Sequence, residues 1–526
     1  MAGGGAGDAA GVGAGGGRRG TGTLLGDIAR EAAERYGDTP VYVTPRGATL
    51  SYAELDALSD AVAAGLAGRG VGVGDLVGLL LPSGAAYAVA YVAAAKIGAV
   101  TAGVNDRLSP PERRRCLEIA RPRLVIASEE LAATTEVASV DAIGEVVEVP
   151  VDTPPADALA MLRTSGREVP ALAADPDRAV AVVFTSGTTG EPKGAVFGDR
   201  QLDAIGEADG GRRWGSGGRG LSSTSFAHLG YMTKLPQALR GGGTSFLMDR
   251  WSAGEALEMV ARHGLTTLGG IPTQVALMLA HDRFESTDIS SVRIIALGGG
   301  PATASLVRET RRRFGVPVVV RYTCTEAGVG VGTVADDPPE DAEESVGRAR
   351  AGVELTIRDD ADRPLPPGRT GQVCLRSAAV MARYHRDPAA TAAALTADGA
   401  VRTGDLGHLD EKGRLHLSGR SKEMYVRGGY NVFPLEVEEV LSDHPDVAHV
   451  AVAPRSDPVM GEIGVAVVVA RHGTAVPTLE SLRTHARGRL AAHKLPEALL
   501  LIDELPRTAM EKIDRRVLAE MVAAAP

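Results

Sequence analysis

The chain alternates short apolar runs with stretches in which apolar residues return every three or four positions. The runs at 75–81, 100–104 and 124–127 predict buried strands, and the segments at 84–97 and 110–119 between them predict helices. Parallel strands are joined by such crossover helices, which cover the faces of their sheet. The first part of the chain therefore predicts an α/β fold with helix-covered, mostly parallel sheets.

The amino-terminal part carries one clear helix start. Ser51-Tyr-Ala-Glu54 is a capping box, and it precedes apolar residues that recur on one helical face. Another helix is predicted near Leu24–Tyr36. The alternation of strands and helices resumes at residue 179 and continues to residue 320, which extends the α/β prediction over most of the chain.

The pattern changes near residue 350. Short strands at 353–358, 371–376 and 413–417, separated by Pro and Gly turns, predict a β-rich subdomain. A compact α+β tail follows the polar segment at 418–422. The predicted parts are a disordered Gly/Ala-rich tail at 1–22, a large domain at 23–418 and a small domain at 419–526.

The bulk composition narrows the classes of partner and compartment. The 526 residues carry a net charge of −10, which argues against nucleic acid because a phosphate backbone requires a basic surface. Three distant cysteines give neither a disulfide framework nor a zinc spacing, which favours a reducing cytoplasm. The most apolar stretch, Ala85–Val104, is interrupted by Lys96, so no membrane span is predicted.

The most informative chemistry lies at 184–194, which reads Phe-Thr-Ser-Gly-Thr-Thr-Gly-Glu-Pro-Lys-Gly. Four hydroxyls, three glycines and Lys193 follow an apolar strand at 179–184. Glycines let backbone N–H groups turn toward one anion, and ligands bind at strand ends in parallel sheets. The segment therefore predicts a polyphosphate-binding loop. It is not a Walker A loop, because no Gly-Lys-Ser/Thr follows, and a flexible linker rarely closes with Pro-Lys-Gly.

Further polar groups follow strands in the second half of the chain. Three glycines at 298–300 admit a flat ring against the backbone. Tyr322-Thr-Cys-Thr-Glu326 offers an aromatic face, a hydroxyl and a carboxylate that suits Mg²⁺, and Asp405 can accept ribose hydroxyls at a turn. His228 and Lys512 stand near predicted helices. Each segment alone fits a turn, a helix cap or a surface charge, so only their order along the chain is informative.

In that order, the segments resemble the motifs of the adenylate-forming superfamily, which includes acyl-CoA synthetases, non-ribosomal adenylation domains and luciferases. Acyl-CoA synthetases show a Thr/Ser-Tyr-x-Glu-Leu helix start, Ala-Lys-x-Gly-Ala-Val, the phosphate loop, Phe-x-His, a Gly-rich-Pro turn, Tyr-x-x-Thr-Glu, Thr-Gly-Asp, Gly-Arg-x-Lys and a final Pro-Arg-Thr…Lys. This chain carries every one of them between residues 24 and 516. The resemblance implies a large AMP-binding domain and a small, mobile C-terminal lid.

The resemblance also implies a role for each matching residue. Lys512 would bridge the substrate carboxylate and the α-phosphate, Glu326 would hold Mg²⁺, and Lys422 would mark the hinge of the small domain. Thr325 would contact the α-phosphate, and His228 would be a catalytic residue lining the acyl pocket. The other implied positions are Thr185, Ser186, Gly187, Thr188, Thr189, Gly190 and Lys193 for the ATP phosphates, Gly298, Gly299, Gly300 and Tyr322 for adenine, Asp405 and Arg420 for ribose, and Gly428 and Gly429 for the thiol tunnel.

The implied activity has two steps. ATP converts a medium-chain or aryl carboxylic acid to an acyl-adenylate with release of pyrophosphate, and the acyl group then passes to the CoA thiol. Other acceptors stay open, namely a carrier-protein pantetheine or nitrite in an ATP-dependent diazotase. A non-catalytic nucleotide- or acyl-binding protein is disfavoured, because Lys193, Glu326, Asp405 and Lys512 are all present. The sequence does not determine the oligomeric state, and a homodimer is one of the states that it leaves open.

Four positions bear on the acyl substrate and its surroundings. Asp199 stands where members of the superfamily often carry His, Thr323 replaces a Gly beside the acyl pocket, and Glu511 replaces the Gly before Lys512. Lys234, six residues after His228, is predicted to point toward the pocket, where a lysine needs an anionic or hydroxyl partner. This favours a polar-substituted acid such as an aryl or arylacrylic acid. The alternative is that Lys234 extends to the surface.

Overall fold

The computed structural model describes residues 24–165, 172–185, 191–222, 224–508 and 512–525, so the predicted tail at 1–22 lies outside it. The helices are α1 Leu24–Tyr36, α2 Tyr52–Gly68, α3 Ala85–Lys96, α4 Pro110–Ala120, α5 Glu129–Thr135, α6 Asp199–Gly210, α7 Leu229–Met232, α8 Leu235–Gly241, α9 Ala253–His263, α10 Pro272–Ala280, α11 Ala304–Phe314, α12 Pro339–Glu344, α13 Pro388–Ala394, α14 Pro434–Ser442, α15 Leu479–Ala486 and α16 Arg515–Ala524. The strands are β1 Pro40–Val43, β2 Thr49–Ser51, β3 Leu76–Leu80, β4 Val100–Gly103, β5 Leu124–Ser128, β6 Glu145–Val149, β7 Ala179–Thr185, β8 Lys193–Gly198, β9 Arg219–Ser222, β10 Thr244–Leu247, β11 Thr267–Gly270, β12 Ile294–Gly298, β13 Val318–Tyr322, β14 Val331–Gly332, β15 Arg348–Ala349, β16 Glu354–Arg358, β17 Gly371–Arg376, β18 Arg383–Tyr384, β19 Val401–Leu409, β20 Leu415–Arg420, β21 Tyr425–Arg427, β22 Tyr430–Val432, β23 Val447–Asp457, β24 Gly461–Ala470 and β25 Ala498–Leu501.

A seven-stranded sheet organises the first part of the large domain. Its order is β18-β8-β7-β4-β3-β5-β6, in which β3, β4, β5, β6 and β7 are parallel, β8 runs antiparallel to β7, and β18 runs antiparallel to β8. Helix α3 is apolar around its circumference and is buried with α1 and α2 in the main core. Its only charge, Lys96, pairs with Asp56 (2.5 Å) and Asp60 (2.7 Å) on α2. These partners explain how a buried helix tolerates a lysine, since an unpaired buried ammonium is costly.

A nine-stranded sheet forms the second part of the large domain. Its order is β15-β14-β13-β12-β11-β9-β10-β1-β2, with a parallel centre and antiparallel strands at both edges. Helices α9, α10 and α11 pack with the inner strands in a second core. Strand β7 of the first sheet ends at Thr185 and β13 of this one ends at Tyr322, so the predicted phosphate and adenine segments both follow parallel strands.

Two smaller sheets complete the fold. The predicted β-rich subdomain is the antiparallel sheet β16-β17-β19-β20, whose last strand ends at Arg420. The small domain is built on β22-β21-β24-β23, with β25 added parallel to β24. Helices α14 and α15 cover one face of this sheet and α16 covers the other. Arg420 therefore ends one sheet just before the other begins at Tyr425.

Several elements differ from the sequence prediction. The helix predicted at 478–491 ends at Ala486, because Gly488 adopts a φ of +84°, a left-handed conformation that glycine accepts. Strands β23 and β24 are longer than predicted, since each completes its hydrogen bonds on the other as an antiparallel pair. Strand β8 was hidden inside the glycine-rich motif, where the pattern reads as loop.

The structure also bears on two predictions from composition. Cys116, Cys324 and Cys374 are free thiols, as their spacing predicted. Within the described ranges, none of the helices combines the length and apolar character needed to cross a bilayer. The apolar stretch at 85–104 is a core helix followed by strand β4.

Asp199 begins helix α6 and is buried. Its Oδ1 accepts a hydrogen bond from the backbone N–H of Leu24 (3.0 Å), which ties the start of α1 to the start of α6. Burial raises the pKa of Asp199 to about 7, against the opposing effects of the Leu24 N–H and of Arg178. The residue that departs from the superfamily pattern is therefore a structural carboxyl that titrates near neutral pH.

Asp199→Asn is expected to remove a pH-dependent loss of stability. The folded carboxyl stays protonated up to about pH 7, whereas the unfolded chain ionises it near pH 3.8. The folded state thus binds an extra proton between these values, and wild-type stability falls as the pH rises through them, by on the order of 4 kcal/mol. Asparagine keeps an oxygen for the Leu24 N–H but cannot ionise. Melting temperatures of the two proteins should converge near pH 4 and favour the variant above pH 7, and parallel curves would contradict the assignment.

Candidate active site

The loop predicted to bind phosphate connects two antiparallel strands. Thr185 ends β7, Lys193 begins β8, and the two residues are paired in the sheet. Ser186, Gly187, Thr188, Thr189 and Gly190 lie outside the described residues. Lys193 Nζ lies 5.3 Å from the centre of the Tyr384 ring on β18. The loop lysine is therefore directed toward the strand that flanks its own.

Tyr384 joins this lysine to the predicted metal carboxylate. The Tyr384 hydroxyl donates a hydrogen bond to Oε1 of Glu326 over 2.5 Å. Glu326 lies in the 3₁₀ turn Thr325–Ala327 that follows β13, and its backbone oxygen accepts the N–H of Met381 (2.8 Å). Sequence reasoning missed Tyr384, because its position depends on the pairing of β18 with β8. No local motif signals that pairing.

The predicted adenine and ribose residues meet at one carboxylate. The Tyr322 hydroxyl donates to Oδ2 of Asp405 (2.6 Å), and Arg420 Nε lies 3.2 Å from Asp405 Oδ1. Asp405 and Arg420 are also opposite each other on β19 and β20. Burial raises the pKa of Asp405, and Arg420 and Tyr322 oppose this shift. The carboxylate is thus oriented by two donors. The space that Lys193, Glu326, Tyr322 and Asp405 border is called the cleft below.

Lys512 reaches the cleft from the last loop of the small domain. Its carbonyl accepts the N–H of Thr508 (2.7 Å), and helix α16 begins three residues later at Arg515. The pKa of Lys512 is lowered, first because the surrounding protein removes part of its water and then because Arg420 is near, while Asp405 opposes the shift. The residue still keeps solvent contact. Lys512 is therefore an exposed lysine within electrostatic reach of Asp405 and Arg420.

His228 also faces this cleft. It caps the short helix α7, and its Nε2 lies 3.2 Å from Nδ2 of Asn105. Burial, followed by the charges of Lys512 and Arg107, lowers the pKa of His228 to about 4. The ring is therefore neutral at pH 7. Because the Asn105 amide nitrogen is a donor, Nε2 accepts and Nδ1 carries the proton. Asn105 was not predicted, since only the fold brings the end of β4 to α7.

The glycine segment lies beside these residues. Gly298 ends β12, the strand next to β13, and is paired with Arg321. Gly299 and Gly300 are exposed, and Gly299 has a φ of +77° that favours glycine. The segment thus follows a strand adjacent to the one that ends at Tyr322. Its contact with adenine stays a prediction.

Three predicted residues stand apart from this cleft. Lys422 is exposed between β20 and β21. Gly428 and Gly429 form the exposed tip of the β21–β22 hairpin, with φ values of +53° and +87°. All three belong to the small domain, and the contacts described for the cleft residues do not include them.

Two family models match this chain. The AMP-binding enzyme model matches residues 29–385, and the model of the AMP-binding enzyme C-terminal domain matches residues 436–512. The chain belongs to the AMP-binding enzyme family. The two matches together span both the large and the small domain described above.

Two relatives and one solved structure show how far the similarity extends. Indoleacetate–CoA ligase of Aromatoleum aromaticum is 34% identical over 506 residues, which cover 94% of this chain and 97% of that protein. Feruloyl-CoA synthase of an Amycolatopsis species is 34% identical over 477 residues, with 89% and 93% covered. The amide bond synthetase McbA from Marinactinospora thermotolerans is 28% identical with a TM-score of 0.84, and 95% of this chain and 100% of that structure are covered.

These findings confirm the predicted superfamily, the α/β fold class and the reaction class. This member of the AMP-binding enzyme family is an ATP-dependent, AMP-forming acid–thiol ligase. Its named relatives differ in the acid that they activate. The acid that this enzyme prefers is therefore a separate question from its reaction class.

Proposed function

We propose that the cleft joins an aryl or medium-chain carboxylic acid to AMP and then passes the acyl group to CoA. The observation that carries the proposal is the position of Lys512, which lies within electrostatic reach of Asp405, Arg420 and His228. There its ammonium can meet a substrate carboxylate and the α-phosphate of ATP together. The names of the relatives, an indoleacetate ligase and a feruloyl-CoA synthase, support an aryl acid.

The charges of the cleft suit adenylation. Attack of a carboxylate on the α-phosphate brings two anions together, so contacts that neutralise the growing charge accelerate the reaction. Lys512 would supply one such contact, and Thr325, which shares a turn with Glu326, would donate its hydroxyl to the α-phosphate. Lys193 and the loop after Thr185 would hold the outgoing phosphates. The reaction releases pyrophosphate and leaves the acyl group on AMP.

Tyr322 and Asp405 would hold the nucleoside part of ATP. Their mutual hydrogen bond holds the phenol ring and the carboxylate in one arrangement before ATP arrives. We propose that Asp405 and Arg420 bind the ribose hydroxyls, while the Tyr322 ring and Gly298–Gly300 enclose adenine. Preorganisation of this kind reduces the entropy lost on binding.

Glu326 fits the requirements of Mg²⁺. This ion keeps several waters and is bound through one or two carboxylates plus substrate phosphates. Glu326 offers one such carboxylate, which Tyr384 orients through its hydroxyl. A magnesium ion held there would neutralise phosphate charge during adenylation.

The second step requires a different placement of the small domain. We propose a boundary at 418–422 with a hinge at Lys422, which is exposed and follows the end of β20. Rotation at this point would withdraw Lys512 and bring the Gly428–Gly429 hairpin toward the cleft, where the thiol enters. Such hinge motions let one site serve two half-reactions. ATP and CoA are both available in the cytoplasm, where we place the reaction.

The test is product analysis with and without CoA. Purified enzyme, Mg²⁺, ATP and a panel of aryl and alkyl acids are expected to release pyrophosphate and AMP, and mass spectrometry should find acyl-CoA. Without CoA, the acyl-adenylate should remain bound. An adenylate that forms but reacts only with a pantetheinylated carrier protein, or only with nitrite, would assign the other acceptor. Absence of pyrophosphate with every acid would contradict the proposed function.

A further inference from the structure

Arg321, Arg350 and Lys234 form a positively charged cluster next to the segments predicted to line the acyl pocket. Thr323 directly follows the last residue of β13, and Arg321 lies two residues, about 7 Å, before it; because successive side chains of an extended chain point to opposite faces, Arg321 is expected to share a face with Thr323. Their neighbours point elsewhere, since Val320 packs in the second core and Tyr322 bonds Asp405. Arg321 is therefore less exposed than Thr323, which lies just past the end of the strand.

A second path reaches the same place from His228. Helix α7 follows His228, and Lys234 caps the next helix, α8. Lys234 lies six residues after His228, past the four-residue helix α7 and a turn; at the rise of a helix six residues advance ~9 Å, about the length of an aromatic acid. Lys234 Nζ pairs with Asp209 Oδ2 at 2.7 Å. The protein itself thus supplies the anionic partner that the sequence analysis required for this lysine.

Asp209 is shared among more cations than it can neutralise. Arg350 Nη2 lies 3.7 Å from Asp209 Oδ1 and donates to the backbone oxygen of Ala208 (2.8 Å). Burial and Arg350 lower the pKa of Arg321 to about 10, with Asp209 opposing, so the Arg321 guanidinium is charged at pH 7. Asp337, which also faces Arg321, is engaged by the N–H of Val334 (2.8 Å) and by Arg348 (3.7 Å). Three positively charged side chains are therefore balanced by one carboxylate, that of Asp209.

The donors of this cluster are not all used. Arg350 Nη1 is buried without a hydrogen-bond partner among the described residues. The contacts described for Arg321 use Nη1 alone, which donates to the backbone oxygens of Thr333 and Val320. A buried N–H without an acceptor is costly, and a bound anion would remove that cost. The excess positive charge and the unused N–H donors both indicate a site for a bound anion.

We propose that Arg321, Arg350 and Lys234 bind a carboxylate at the far end of the acid substrate, opposite the carboxyl that is adenylated. The inference rests on the proposed function and narrows its substrate to an acid with a second, distal anionic group about one aromatic ring away. Asp209 then positions two of the cations, and the substrate completes the charge balance.

The experiment compares the ATP–pyrophosphate exchange of two cinnamic acids that differ only in the para substituent, which is a carboxylate in one and a methyl group in the other. Wild-type enzyme should turn over 4-carboxycinnamic acid with a kcat/KM at least about tenfold above that of 4-methylcinnamic acid. Arg321→Gln should lower the value for the dicarboxylic acid by ~10- to 100-fold and leave that for the methyl analogue nearly unchanged. Arg321→Lys retains the positive charge and should keep most of the preference for the dicarboxylic acid. This variant tests the proposal if Arg321→Gln does not fold.

Arg376→Gln is the matched control. Arg376 also lies on a strand and pairs with Glu354 on the surface, away from the cleft, so its variant should show the wild-type ratio. Equal losses for both acids in Arg321→Gln would indicate a structural role and overturn the proposal, as would a wild type that prefers the methyl compound. Exchange with neither acid, nor with any acid of the panel, would instead reject the adenylation function itself.

Discussion

Lys512→Ala is expected to lower the rate of ATP–pyrophosphate exchange by about 10²- to 10³-fold. Lys512 lies in the cleft beside Asp405 and Arg420, where its charge can offset the negative charge that grows as a carboxylate attacks the α-phosphate. Thioester formation from supplied acyl-adenylate and CoA should change little, because we propose that the small domain withdraws the lysine in that step. The two rates, measured separately on the same preparation, check the prediction.

Lys494→Ala is the control for this variant. Lys494 also belongs to the small domain but pairs with Glu436 away from the cleft, so both half-reactions should proceed at the wild-type rate. If Lys512→Ala loses no exchange activity, a non-catalytic nucleotide- or acyl-binding protein becomes the better interpretation. Equal loss of both half-reactions would indicate damage to the fold.

Glu326→Gln is expected to reduce kcat for adenylation on the order of 100-fold and to raise the Mg²⁺ concentration needed for half-maximal rate. Glutamine has nearly the same shape and retains an oxygen for the Tyr384 hydroxyl, so the change removes only the negative charge. A magnesium titration of the exchange rate measures the effect.

Tyr384→Phe separates the charge of Glu326 from its orientation. This variant keeps the carboxylate but loses the hydroxyl that holds it, and about a tenfold loss is expected, with a smaller change in the Mg²⁺ requirement. If Glu326→Gln leaves the magnesium dependence unaltered, the carboxylate does not hold the ion.

Much of the fold could be predicted because its signals are local. The capping box at Ser51 opens α2, and the apolar runs that predict β3, β4 and β5 are found as parallel strands within one or two residues of their predicted ends. Element ends such as Ala486 were less accurate, since one glycine conformation ended that helix. Strand β8 was missed because its first residues also belong to the phosphate motif.

The sequence by itself determined the fold class, the reaction class and the order of the motifs, because each depends on residues that are neighbours along the chain. Only the tertiary structure decided which of them meet. Tyr384 contacts Glu326 and Lys193 through the pairing of β18 with β8, and Asn105 reaches His228 through the packing of β4 near α7. Asp209, Lys234 and Arg350 likewise come from three separate segments. Sheet order and packing set these contacts, and periodicity carries no information about them.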